Sequence, residues 1–598
     1  MTDYRAPLDD MRFVMKQVAG LDYINGLPGY EDAAPDLVDA VLEEAGKLAG
    51  EVIAPLNHSG DREGSVFENG VVRTPRGFRE AYHAYQEGGW NALPFDPDYG
   101  GQGLPWLVAN AVQEMWNAAN MSFALCPLLN QGAVELLQSH GSPEQKEVYL
   151  AKMISGEWTG TMNLTEPQAG TDVGAARTRA EPNGDHYLIS GQKIYITYGE
   201  HDFAENVVHM VLARTPDAPA GTRGISLFIV PKFLPSEDGG PGPRNDLRCV
   251  SIEHKLGIKA SPTCVMAYGD SGGAIGYLVG EENRGMEYMF TMMNNARLSV
   301  GIQGVAIAER SYQQALAYAR QRVQGRAFGP AGGGAVPIIE HQDVKRMLLT
   351  MKAYTEAARA LAYYTAAAID IAHADPDAEL RRRTETEVVD LLIPVVKAWC
   401  TDIGCEVASL GVQVHGGMGF IEETGAAQHF RDARITPIYE GTNGVQALDL
   451  IGRKILRLDG APARAFSARV RDDLAAIHSA EGEAFKPMAE SLMHCADTFD
   501  RATDWLLDAN RADPREAAAG ASPYLRLLGT LAGGWLLAKS ALAAARARAG
   551  ANGSAEFLDR KIATARFYMT NLLPLAEAAA SASIHGSRAV VDVEEAAL

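Results

Sequence analysis

The sequence predicts a mainly α-helical chain with a central antiparallel β domain, and three observations carry that prediction. Apolar residues recur at helical spacing from about residue 36 to 157 and again from about 281 to the end. Between about 158 and 280 they form short runs rich in β-branched and aromatic residues, broken by Gly, Pro and Asp. With 598 residues, 47% of them hydrophobic, the chain can build several cores, so more than one domain is expected.

Residues 1–35 read as a leader whose Phe13, Val14 and Val18 suit docking on the body, followed by the turn-rich Gly26-Leu27-Pro28-Gly29. Residues 36–157 form a first helical domain, with Leu37, Val41, Ala45 and Leu48 at spacings of three and four. Residues 158–280 supply the β runs HYLISG, KIYITYG, NVVHMVLART, ISLFIVP and CVMAYG, and SEDGGPGPRND (236–246) reads as a surface loop. Residues 281–455, containing LSVGIQGVAIAERSYQQALAYARQRV, suit a helical bundle. Residues 456–598 are Ala-rich and amphipathic, an additional helical module.

The net charge of −21 sets a field that repels polyanions, so nucleic acid is not an expected partner. The six cysteines include no C-x-x-C pair and no Cys/His cluster at zinc spacing; no metal site is expected. The N-terminus lacks a basic region followed by an apolar one, which points to a cytoplasmic protein. GTLAGGWLLAKSALAAA carries Lys539 in its middle and reads as a buried helix, so no membrane span is expected. Rossmann, P-loop, zincin and nucleophile-elbow motifs are absent.

Four segments remain. Asn163-Leu164-Thr165-Glu166-Pro167-Gln168-Ala169-Gly170-Thr171-Asp172 opens the β domain, and is compatible with an ordinary turn or with a loop whose N–H and hydroxyl donors cradle a ring edge or pyrophosphate. In Tyr195-Ile196-Thr197 the strand period puts Tyr195 and Thr197 on one face. RQRVQGRAFG, from Arg320 to Gly329, ends a long helix, where a solvated basic terminus is the plain alternative. The last region holds Gln413-Val414-His415-Gly416-Gly417 and then Tyr439-Glu440-Gly441-Thr442. Its Glu440 suits either a surface acid or a base in a water-poor pocket.

In order and spacing these segments resemble the acyl-CoA dehydrogenase family over roughly residues 36–455. The resemblance implies that fold and an FAD cofactor. It assigns Leu164, Thr165, Gly170, Thr171, Tyr195, Thr197 and Thr442 to cofactor binding. The R-x-F-G segment would reach the FAD of a neighbouring subunit, and Arg326 and Phe328 would sit near the pyrophosphate and adenine half, as would Gln413, Gly416 and Gly417. Glu440 falls at the family's base; members that carry the base before an Arg on an earlier helix have it where this chain has Ala296, before Arg297. The family commonly has Gln two residues after the motif's Thr, and Gly444 stands there instead. The leader, EENRGMEYMFTMMNNARL and the last module resemble a subgroup of about this length, which includes 3-methylmercaptopropionyl-CoA dehydrogenases and large fatty acyl-CoA dehydrogenases.

The implied reaction converts an acyl-CoA to a trans-2-enoyl-CoA, Glu440 taking the C2 proton and flavin N5 the C3 hydride. A thioester C2 proton is too weakly acidic for a free carboxylate, so the site must stabilise an enolate. Arg297 is the candidate cation beside the base, its alternative being a helix-surface charge. The resemblance also implies electron-transferring flavoprotein as acceptor and a homodimer or homotetramer. An acyl-CoA oxidase using O2 shares these features. A DNA-associated flavoprotein of the same fold would need a basic C-terminal domain, whereas residues 456–598 mix Asp and Glu with Arg.

Overall fold

The computed structural model of the chain describes residues 4–328, 334–551 and 553–597. Two compact units emerge: Met1–Glu43, Pro105–Glu114 and Val300–Leu598 form one, Glu44–Leu104 and Met115–Ser299 the other.

The first unit is helical. Its leader helix α1 (Leu8–Gln17) buries Met11, Val14 and Met15 and also Asp10. Helix α2 (Trp106–His140) begins in this unit, and α3 (Gly285–Gln321) ends in it. Helices α4 (Gln342–Ala374) and α5 (Asp390–His415) form the bundle core, where α5 buries a nearly continuous run from Leu391 to Thr401. Such a helix, apolar all round, is stable only when other helices cover every face. Short helices α6 (Ala426–Ala433) and α7 (Asn443–Asp449) follow. The last module is α8 (Ala461–His478), α9 (Phe485–Ala512), α10 (Ala521–Ala549) and α11 (Ala555–Asn571), with shorter pieces to Asp592. Helix α10 is long and apolar enough to cross a membrane, but 83% of its apolar window is buried inside the protein.

A buried ionic cluster ties the leader to the bundle and the last module. The fully buried Arg359 of α4 bonds Glu114 of α2 (2.6 Å), Glu309 of α3 (2.7 Å) and Asp10 of α1 (2.7 Å). Lys561 of α11 bonds Asp10 (2.6 Å) and Glu356 (2.7 Å). Charges this deep persist only when paired and hydrogen-bonded.

The second unit carries an eight-stranded sheet: β1 (Trp158–Asn163), β2 (Arg179–Asn183), β3 (His186–Thr197), β4 (Asn206–Ala213), β5 (Ser226–Pro231), β6 (Leu247–Ile252), β7 (Thr263–Tyr268) and β8 (Ala274–Leu278). The order is β6-β7-β3-β8-β5-β4-β1, with β2 also paired to β3.

The sheet departs from the sequence expectations in three places. HYLISG and KIYIT are one strand, β3, because Gly191 (φ 150°) bends the chain without ending it. The β1–β4 pair is parallel within an otherwise antiparallel sheet; the intervening residues 164–205 supply the long crossover this needs. The expected loop 236–246 contains Pro241–Arg244, which pairs with Phe233–Pro235 around a Gly239 turn (φ 80°). In the first helical segment, Val38, Leu42, Ala45 and Ala49 form the buried stripe, while Leu37 is 44% exposed. The helix is as expected but turned by about one residue.

Candidate active site

The first motif folds into a loop anchored on β3. Glu166 and Ala169 exchange backbone hydrogen bonds (both 3.0 Å) around Pro167-Gln168. Ile194 N–H donates to Thr165 O (2.9 Å), and Lys193 Nζ to Leu164 O (3.0 Å). The Glu166 carboxylate turns inward. It accepts from Lys193 (2.8 Å), Thr178 N (3.0 Å), Thr178 Oγ1 (2.6 Å) and Arg177 N (2.7 Å). Burial would raise its pKa, but Lys193 and these donors outweigh burial and hold it at about 2. Burial brings Lys193 down to about 8 even beside Glu166.

This anchoring joins the first two motifs. The β3–β7 register slips between Cys264 and Met266, so Tyr195 sits at a β-bulge with φ 60° and 61% exposure. Ile196 points inward and Thr197 outward, which keeps Tyr195 and Thr197 on the outer face. Among the described residues the hydroxyls of Thr165, Thr171 and Thr197 have no hydrogen-bond partner, and a Cβ at Gly170 would meet nothing within 4 Å. An open ledge with unengaged donors suits a flat polar ligand.

In the first unit, Glu440 lies on the turn between α6 and α7. It is half-buried, with φ 56°, and Gly441 follows at φ 83°. The turn closes through Asn443 N–H to Pro437 O (3.0 Å), and Thr442 caps α7 by accepting from Val445 N–H (3.3 Å). Gln446 Nε2 donates to Glu440 O (3.0 Å). Lys397, wholly buried in α5, donates to Gly441 O (2.7 Å) and Asn443 Oδ1 (3.0 Å). Tyr439 is hydrogen-bonded to Gln303, and burial pushes its phenol well up.

The remaining predicted residues gather at the far end of α5. Tyr318 of α3 stacks on His415 (4.5 Å between ring centres), so α3 and α5 end side by side. From α3 the chain runs into a loop closed by Gln324 N–H to Val336 O (3.0 Å), which leaves Arg326 exposed and Phe328 95% exposed; Gly329 lies outside the described residues. From α5 it runs into Gly416 (φ 59°) and Gly417, where added Cβ atoms would meet nothing within 4 Å. Gln413 faces solvent. Lys397 and Gln413 are about 24 Å apart along the helix axis, so the Glu440 turn and this cluster occupy opposite ends of α5.

Arg297 belongs to the second unit and is 5% exposed, which corrects the helix-surface alternative. Lys193, Lys397 and Gln446 escaped the sequence reading. For Lys397 the available signal was a lone lysine inside the apolar run LIPVVKAWC, where a buried ammonium must find acceptors. Among the described residues no group of three or more His, Cys, Asp or Glu side chains is placed to hold a metal ion.

Comparison with known proteins gives four consecutive matches. Residues 38–157 match "Acyl-CoA dehydrogenase, N-terminal domain", 161–270 the middle domain and 283–456 the C-terminal domain of that family. Residues 466–594 match "Acetyl-CoA dehydrogenase C-terminal like". The chain is 51% identical to a 3-methylmercaptopropionyl-CoA dehydrogenase of Ruegeria pomeroyi, over 95% of this chain and 96% of that one. It is 36% identical to a butyryl-CoA dehydrogenase of Syntrophomonas wolfei, over 96% and 95%. A Bacillus anthracis acyl-CoA dehydrogenase solved in complex with FAD shares the fold, with TM-score 0.74 and 20% identity, over 98% of this chain and 93% of that one.

Proposed function

The chain belongs to the acyl-CoA dehydrogenase family, and from that premise we propose that it oxidises a short acyl-CoA thioester to the trans-2-enoyl-CoA, with Glu440 abstracting the C2 proton. It is an FAD-dependent oxidoreductase acting on acyl-CoA. The observation that carries the assignment of the base is the Glu440 turn: a carboxylate on a left-handed backbone, fastened from α5 and α7, is held in one direction. A surface acid needs no such fastening.

The residues available for FAD fit it. Thr165, Thr171 and Thr197 offer hydroxyls, Gly170 gives close access to backbone, and Tyr195 stands out from its bulge. We assign Leu164 and Thr442 to the same task. When bound, FAD supplies the acceptor for the C3 hydrogen and its electron pair. Glu440 takes the C2 proton, and its backbone N–H is the donor we assign to the thioester oxygen, where negative charge develops. Arg297 is the cation we assign to keeping the carboxylate ionised before substrate enters.

Arg326, Phe328, Gln413, Gly416 and Gly417 lie at the other end of α5 from Glu440, about 24 Å along its axis. We therefore assign them to the cofactor of a second copy, in a homodimer or homotetramer. The exposed Phe328, Phe420, Ile421 and Phe430 favour the same reading.

The relative at 51% identity favours 3-methylmercaptopropionyl-CoA as substrate, and the butyryl-CoA relative supports an unbranched short chain as the second reading. Anaerobic titration of the holoenzyme with 3-methylmercaptopropionyl-, butanoyl-, octanoyl- and palmitoyl-CoA decides. Bleaching of the flavin by the short thioesters, absent in Glu440→Gln, is the expected result. Bleaching that survives Glu440→Gln overturns the assignment of the base. Reoxidation by electron-transferring flavoprotein, and slowly by O2, is expected; fast reoxidation by O2 identifies an oxidase.

A further inference from the structure

We propose that Lys397 is a positioning residue for the reaction: its ammonium holds the carbonyl of Gly441, the residue after Glu440, and so fixes the direction in which the carboxylate reaches. The proposal rests on Glu440 being the base.

Lys397 is 0% exposed and lies within the run Leu391 to Thr401, every residue of which is buried. Burying an ammonium there is costly unless it donates to acceptors. Two of its acceptors, Gly441 O at 2.7 Å and Asn443 Oδ1 at 3.0 Å, belong to the turn that carries Glu440. Asn443 in turn donates back to α5, at Ala398 O (3.0 Å) and Thr401 Oγ1 (3.0 Å), and to Asp402 Oδ1 (2.8 Å). Turn and helix are therefore clipped together in both directions.

The turn needs this clip because its backbone is strained. A non-glycine residue at φ 56° lies in the left-handed region that L side chains disfavour, and such a residue persists only where its surroundings over-determine it. Gln446 holds the carbonyl of Glu440 and Lys397 the carbonyl of Gly441, so two successive peptides are pinned. With the ammonium gone, Gly441 O keeps only the long 3.5 Å bond from Gln446, so the turn loosens, Glu440 relaxes toward ordinary φ, and its carboxylate swings with it. A misplacement of about 1 Å is enough to cost on the order of 100-fold in rate.

The test compares wild type, Lys397→Met, Lys397→Gln and Glu440→Gln as flavin-loaded holoenzymes. The thioester is whichever bleaches the wild-type flavin best, unlabelled and carrying deuterium at C2. Lys397→Met is expected to reduce the flavin 10- to 100-fold more slowly, with KM changed less than threefold and the C2 isotope effect raised, because proton removal becomes the slow step. Lys397→Gln, which keeps an N–H donor, is expected to fall between. A wild-type rate and isotope effect in Lys397→Met overturn the proposal, whatever its melting temperature. So does a slower rate with an unchanged isotope effect, which marks a loss of active protein only. Full activity in Glu440→Gln overturns the assignment of the base, and the proposal with it; an inactive Glu440→Gln beside a wild-type Lys397→Met overturns the proposal alone. Should Lys397→Met not fold, Asn443→Leu removes the clip from the other side, and a wild-type isotope effect in that variant is equally fatal.

Discussion

Lys193 and Glu166 form an ion pair 2.8 Å long, both side chains at most 3% exposed, and through it the loop beginning at Asn163 is fixed to the strand that carries Tyr195 and Thr197. Two segments separated in sequence thus become one ledge. The pair holds the Glu166 carboxyl at about 2, below the ordinary glutamate value of about 4.3. A depressed carboxyl stabilises the fold in full above its unfolded value, and that contribution is lost as the pH falls through the folded one. Acid should therefore remove on the order of 3 kcal/mol from the β domain between about pH 4.3 and pH 2. Glu166→Gln leaves Lys193 buried without its counter-charge and should cost about 3–5 kcal/mol at neutral pH. Melting curves from about pH 2 to pH 7 and flavin content at pH 7 check both; a variant that matches wild type at pH 7 contradicts this account.

Arg359 is the hub that joins leader, bundle and last module. Arg359→Met strands Glu114, whose carboxyl burial already pushes up, and should cost about 3–5 kcal/mol. Limited proteolysis should then cut the leader first, since Asp10 loses one of its two cationic anchors. Unchanged digestion of the leader would show that apolar burial of Met11, Val14 and Met15 suffices.

Gly444 lies in the first turn of α7, and a Cβ there would meet only Thr442 Oγ1, at 3.8 Å. Gly444→Gln should stabilise that helix by about 0.5–1 kcal/mol through lower backbone entropy in the unfolded chain. If the added amide also reaches the cofactor, flavin release under denaturant should slow; equal release rates in the two proteins confine the effect to the helix.

Phe328 and Phe420, 95% and 84% exposed, mark the face assigned to a second copy. Phe328→Asp with Phe420→Asp should lower the mass seen in sedimentation velocity and weaken flavin retention while helical circular dichroism stays intact. Retention of the wild-type mass would place the contact elsewhere.

What the sequence determined by itself is what local physics and ordered motifs encode. Helical and strand periods located the bundle, the sheet and the last module, and the motifs on which the proposed roles of Glu440, Thr165 and Gly416 rest are each legible within a few residues. The β3 bulge, the parallel β1–β4 pair and the turned stripe of the first helical segment depend on which surfaces meet. The same holds for the supports of the site. Lys397 looks in sequence like an interruption of an apolar run and Lys193 like an ordinary polar strand residue after Gln192, and only folding brings Glu166, 27 residues from Lys193, and Gly441, 44 residues from Lys397, into their reach. A buried ammonium takes its meaning from the acceptors packed around it, and packing over such separations is decided by the tertiary structure.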